Sequence, residues 1–193
     1  RIVQRSWEIA GDELGIPHMG DVIYHTLGMN RAGRNEYFRK YIREDFPFEE
    51  FGRLTRDNFW KIVDKEGLPL KKGVKELLAY GKAQGYKMAV ATSSSREYAM
   101  GNLIRAGIDP YFDSVICGDM VKKAKPDPEI YQKASESLGI PPEYCMAFED
   151  APGGILSAHQ AGMKVIMVPD LVQPTQEIRA VSYTHLTLPT NSL

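Results

Sequence analysis

From Lys72 onward, short apolar runs alternate with helix-like stretches, and this rhythm constrains the fold more than any other feature of the chain. Val74, Leu77, Leu78 and Gly81 mark a helix ending near Gly85, and the run from Tyr86 to Ala91 follows as a strand. Arg96 to Ala106 reads as a helix with Gly107 as its stop, and Ser114 to Cys117 as the next strand. The pattern then repeats: a helix from Pro128 to Leu138 closed by Gly139, a strand from Tyr144 to Phe148, a helix from Gly153 to Ala161 closed by Gly162, and a strand from Lys164 to Val168. Strands this short and apolar, joined by helices, predict right-handed crossovers and an α/β fold with a doubly wound parallel sheet. Ligands of such sheets gather at the carboxyl ends of the strands.

Residues 1–69 have a different texture. Val3, Trp7, Ala10 and Leu14 recur at helical spacing, with Gly15 as a stop. Further helices are expected over 34–44 and 49–66, the latter with Phe51, Leu54, Phe59, Ile62 and Val63 on one side. Trp7, Phe38, Tyr41, Phe59 and Trp60 read as packing residues. No strand is expected there. The division that follows is an all-helical domain over 1–69 and an α/β core over 70–181. Residues 182–193 are expected to form a disordered or artefactual tail, with an extended terminal strand as the alternative; His185 within it is assigned no function.

Charge and cysteine content narrow the function classes. The chain carries 24 basic and 25 acidic side chains, a net charge of −1, so it lacks the basic excess of a nucleic-acid binder. No apolar run approaches the ~20 residues that span a bilayer. Two cysteines, Cys117 and Cys145, suit a reducing compartment better than a disulfide framework. A cytoplasmic monomer without nucleic-acid or membrane partners is expected.

Three strand ends carry polar residues. After Ala91 comes Thr92-Ser93-Ser94-Ser95, a hydroxyl-rich strand-to-helix turn that can cradle an anion, or else an N-cap in which Ser94 and Glu97 form a capping box. After Cys117 comes Gly118-Asp-Met-Val-Lys-Lys-Ala-Lys125-Pro126-Asp-Pro128. Lys125 is held extended by the proline after it, unless it is simply a solvated loop lysine. After Phe148 comes Glu149-Asp150-Ala-Pro-Gly153-Gly154, where adjacent carboxylates suit either a magnesium ion or the positive end of a helix. Together, a hydroxyl turn, a lysine and an acidic pair on successive parallel strands form the set that phosphoryl transfer needs. Hydroxyl and lysine meet phosphate oxygens, and carboxylates hold a divalent cation.

The order Thr92-Ser93, Lys125-Pro126, Glu149-Asp150 with Gly153-Gly154 resembles motifs two, three and four of the haloacid dehalogenase superfamily. The runs Gly118–Pro128 and Phe148–Gly154 look like its helical-cap branch, which includes β-phosphoglucomutase and many sugar-phosphate phosphatases. The likeness covers residues 1 to about 180. It implies a helical cap over a Rossmann-like core, magnesium as cofactor, and hydrolysis of a small phosphorylated metabolite through an aspartyl-phosphate. By that likeness Thr92, Ser93 and Lys125 bind and stabilise the phosphoryl group, Asp150 and Glu149 serve the metal, and the loop 27–34, with Arg31 and Arg34, reads the substrate.

One departure bears on activity. The family's first motif, Asp-x-Asp-Gly, supplies the nucleophile and the general acid/base, and it does not occur in these residues; Asp12 and Asp21 lack its spacing. The chain is therefore expected to be a fragment that is inactive as it stands, missing a central strand whose absence leaves neighbouring strand edges open. Two other readings stay open. A β-phosphoglucomutase-like mutase would place a histidine where Val3 stands, and a non-catalytic phospho-ligand-binding module would need no nucleophile. The acidic pair argues against dehalogenation, which uses no metal.

Overall fold

The computed structural model describes residues 2–26, 31–170 and 173–184, with Arg31, Ala32 and Thr184 described in backbone alone. The loop residues 27–30, the Arg31 side chain and most of the tail, including His185, therefore lie outside the described residues. The chain divides into two compact units, Arg1–Pro69 and Leu70–Leu193.

The first unit is built from helices α1 (Ile2–Glu13), α2 (Met19–His25), α3 (Arg31–Tyr41) and α4 (Phe48–Glu66). Helix α1 packs on α2 and α4. It ends at Glu13, with Gly15 in the left-handed region at φ 67° and Ile16 N–H donating back to the Gly11 carbonyl at 2.8 Å. That return brings the chain so close that a Cβ on Gly11 would fall 2.4 Å from the Ile16 carbonyl oxygen. Helix α2 is absent from the sequence reading because Gly15 and Pro17 interrupt the period just before it. It is set by burial of Met19 and Val22. Trp7, Phe38, Phe46 and Phe51 form the centre, with Trp7 edge-on to Phe38 at 5.7 Å and to Phe51 at 5.5 Å. Phe59 is buried as well, whereas Tyr41, expected to pack, is 60% exposed and leans on Tyr37, with the Lys40 ammonium over its ring.

The second unit contains α5 (Val74–Ala83), β1 (Ala89–Ala91), α6 (Arg96–Ala106), β2 (Ser114–Ile116), α7 (Glu129–Leu138), β3 (Met146–Glu149), α8 (Pro152–Gln160), β4 (Lys164–Met167), α9 (Gln176–Val181) and β5 (Tyr183–Thr184). Gly107 and Gly139 close α6 and α7 in the left-handed region. Every strand pair is parallel, but the strands fall into two sheets, β1-β2 and β3-β4-β5. The last strand, at residues 183–184, pairs with Ile166 and Met167, so the start of the tail is extended.

Among the described residues β1 and β3 each keep one edge without a strand partner. On β3 Ala147 is buried, while Met146 and Phe148 on the other face are about half exposed. The two sheets nonetheless share one core. Helix α7 lies on β1 and β2, α8 lies on β3 and β4, and the helices pack on each other. Ile116, Ile130, Ala147, Ile155 and Val165 belong to a single buried cluster between them. Among the described residues no helix is long and apolar enough to cross a membrane.

Candidate active site

The polar residues begin where β1 stops. Thr92 N–H still donates to Ile116 O at 3.0 Å, the last ladder bond, and the chain then turns. Within the turn Ser94 N–H donates to Thr92 Oγ1 at 3.2 Å. The N-cap of α6 is Ser95, whose Oγ accepts from Tyr98 N–H at 3.5 Å, so Ser94 is not the capping residue and is left within the turn. The turn is pinned to the end of β2 by Gly118 N–H on Ser94 O at 2.8 Å and by Asp119 Oδ2, which accepts from Arg96 N–H at 2.9 Å. Glycine is required at 118, because a Cβ would lie 2.3 Å from Ser93 O. Beside this crossing is a hollow of about 150 Å³ lined by Ser93, Gly118, Lys122 and Lys125, among others. Ser93 is exposed there and Thr92 half-buried.

The loop after β2 is held in shape by side chains the sequence reading did not single out. The Glu129 carboxylate accepts N–H bonds from Lys122 and Lys123 at 2.8 to 3.1 Å and pairs with Lys133 at 3.0 Å. These bonds, the one from Lys122 first, pull its pKa down to about 2. Asp127 Oδ1 accepts from Glu129 N–H at 3.0 Å, and Ser157 Oγ on α8 donates to Asp127 O at 2.6 Å. The loop is thus tied to both helices, and the stem of Lys125 starts from a fixed place.

From that place the Lys125 ammonium reaches the ends of both sheets. It donates to Ala91 O, the last residue of β1, at 3.1 Å, and it pairs with Glu149 Oε1 at the end of β3. The pair is largely out of water, with side-chain exposures of 14% and 9%. Tyr131 of α7 completes the set: its hydroxyl donates to Glu149 Oε1 at 2.6 Å, and the ammonium lies 4.9 Å from its ring centroid. Spacing gave no sign of Tyr131 beyond the apolar stripe of α7, which it shares with Ile130, Ala134 and Leu138.

The acidic pair splits in role. Glu149 spends Oε1 on Lys125 and Tyr131 and Oε2 on the N–H groups of Asp150 and Ala151 at 3.2 and 3.4 Å, at the start of α8. Asp150 forms no ion pair among the described residues. Its side chain is exposed at the surface, yet the protein atoms packed around it first, and the Glu149 charge second, raise its pKa above the usual carboxylate value; Lys71, paired with Asp170 at 3.5 Å, pulls the other way. Among the described residues no three His, Cys, Asp or Glu side chains gather as a ready metal cage. Magnesium does not need one: it keeps waters and is commonly held by one or two carboxylates with substrate phosphate. Asp150 fits that description, because a cation beside it would relieve the cost of its charge.

In the first unit, the Arg34 guanidinium lies over the Trp7 ring at 5.9 Å.

A profile described as "Haloacid dehalogenase-like hydrolase" matches residues 21–168. A phosphorylated carbohydrates phosphatase of Thermotoga maritima is 41% identical over 155 residues, covering 80% of this chain and 71% of that protein. Protein CbbY of Rhodobacter capsulatus is 31% identical over 155 residues, covering 76% and 68%. The crystal structure of CbbY from Rhodobacter sphaeroides in complex with phosphate superposes with a TM-score of 0.77 at 25% identity, covering 95% of this chain and 86% of that one. With that profile match and a relative 41% identical over four fifths of its length, the chain belongs to the haloacid dehalogenase-like hydrolase family.

Proposed function

We propose that this chain serves the magnesium-dependent hydrolysis of a small phosphorylated metabolite. One observation carries the reading: the largely buried ammonium of Lys125 is held between Ala91, next to Thr92 and Ser93, and Glu149, next to Asp150. Thr92 and Ser93 follow the carbonyl that Lys125 holds, and Asp150 follows the carboxylate that it pairs with; this adjacency supports a single site for hydroxyls, cation and second carboxylate.

In this reading the Thr92 and Ser93 hydroxyls and turn N–H groups donate to the phosphoryl oxygens, and Lys125 offsets their charge as the bond to the leaving oxygen breaks. Asp150 would hold magnesium, which when bound neutralises phosphate charge and so lets an anionic nucleophile approach. Glu149 keeps Lys125 in place. Arg31 and Arg34 of the helical unit contribute substrate choice. The attacking carboxylate belongs to an Asp-x-Asp-Gly motif, which residues 1–193 do not contain. The chain alone is thus expected to show no EDTA-sensitive hydrolysis of p-nitrophenyl phosphate.

The test uses a protein in which an upstream Asp-x-Asp-Gly segment precedes these residues. Lys125→Ala should lower turnover by roughly 10²–10³-fold, the usual cost of one preorganised charge. Asp150→Asn should raise the magnesium concentration needed for half-maximal rate. Near-normal kinetics in both variants would sink the assignment.

A further inference from the structure

An ammonium has three N–H donors, and all three of Lys125 have acceptors: Ala91 O at 3.1 Å, Glu149 Oε1, and the Tyr131 hydroxyl oxygen at 3.4 Å. The contact to Tyr131 is the longest and therefore the most easily exchanged for another oxygen. The same hydroxyl donates its own hydrogen to Glu149 Oε1 at 2.6 Å, a short bond to a carboxylate. Tyr131 is only 6% exposed, and its ring lies under the ammonium.

Glu149 has little room to compensate for a lost partner. Its far oxygen is held by two N–H groups at the start of α8. A Cβ on Gly154 would lie 2.1 Å from the carboxyl carbon, so the carboxylate rests against the first turn of that helix. The hydroxyl of Tyr131 is the side-chain contact that fixes the near oxygen on the side facing Lys125.

We infer that Tyr131 is a positioning residue, whose hydroxyl fixes Glu149 Oε1 as the anchor of Lys125 and holds the third ammonium donor until a phosphate oxygen takes it. The consequence for phosphate rests on the proposed function; the positioning itself does not. Tyr131 acts through Lys125 and Glu149 and need not touch substrate.

The experiment reads Lys125 directly in the 193-residue chain. Acetylation by acetic anhydride is followed by peptide mass spectrometry, with Lys122 and Lys123 as internal references three and two residues away. Tyr131→Phe keeps the ring and removes the hydroxyl. It should speed acetylation of Lys125 at least threefold and leave the reference lysines unchanged. In a Glu149→Gln background the same substitution should have a smaller effect, because the route through the carboxylate is gone and only the direct contact with the ammonium at 3.4 Å is left to lose; an undiminished effect would overturn the role through Glu149. An unchanged Lys125 rate, or a rise shared by all three lysines, which signals lost fold and not lost positioning, would overturn the role. Inorganic phosphate is the second probe: it should slow acetylation of Lys125 in the unsubstituted chain, and less so in Tyr131→Phe. Should phosphate give no protection in the unsubstituted chain, the phosphate reading fails, while the comparison of rates still decides the role of Tyr131.

Discussion

The helical unit and the α/β unit use the same kinds of residue for opposite ends. In the first, an ion pair such as Arg5–Glu66 stays at the surface, and the interior is an aromatic cluster centred on Phe38. In the second, a lysine and a glutamate are drawn into the edge of the core and held there by a tyrosine, two backbone N–H groups and a carbonyl. Burying a charge is tolerated only where partners meet it on several sides. The contrast is between an interior ordered by shape and a strand edge ordered by electrostatics.

Substitution at the two centres should separate them. Lys125→Ala carries the largest effect, the 10²–10³-fold loss of turnover described above, with little change in the first unit. Phe38, 2% exposed among four other aromatic rings, should cost about 3–5 kcal/mol on replacement by alanine, through lost burial and the cavity left behind. Calorimetry should show that loss in unfolding, while protection of Lys125 by inorganic phosphate persists. If Phe38→Ala abolished the protection of Lys125 by phosphate, the two units would not be energetically separate and the comparison would break.

A smaller effect sharpens the electrostatic side. Glu129 has its pKa lowered from 4.5 to about 2, by its bonds to the Lys122 and Lys123 amides and to Lys133. A depressed folded-state value means that its stabilising contribution is complete above pH 4.5 and is lost as pH falls toward about 2. The melting temperature of the chain should therefore fall across that window, and Glu129→Gln should flatten this part of the profile. An identical profile in the variant would show that the carboxylate does not hold the loop.

The smallest effect belongs to the first unit. Arg5 reaches Glu66 at 2.6 and 2.7 Å, but both side chains are largely in water, where such pairs contribute little. Arg5→Ala should leave the melting temperature unchanged within error. A clear drop would mean that the helical unit, too, depends on its charges.

Much of this was legible from local sequence, and the reasons are local. Helix stops at Gly107 and Gly139 follow from a conformation that glycine adopts at no cost, and both are found in the left-handed region. The long helix over 49–66 was evident from its apolar spacing and begins one residue earlier, at Phe48. Helix α2 was missed because seven residues between interruptions carry too short a period to read. The cap of α6 was placed one residue early, since four successive hydroxyl residues offer equivalent candidates and only the backbone chooses among them.

What the sequence determined by itself is the alternation of strand and helix, and the presence of hydroxyl, lysine and acidic pair at strand ends. Each depends on residues within a few positions of one another, where period and turn chemistry act directly. The tertiary structure alone decided that the parallel strands form two sheets, and that Glu149 faces Lys125 while Asp150 stays unpaired among the described residues. It alone showed that Tyr131 is part of the site. Those outcomes join residues 18 to 34 positions apart, Tyr131 to Glu149 and Lys125 to Ala91. At such separations no periodicity links the partners, and only the packing of α7 and α8 against the strands brings the ammonium, the hydroxyl and the carboxylate within hydrogen-bonding distance.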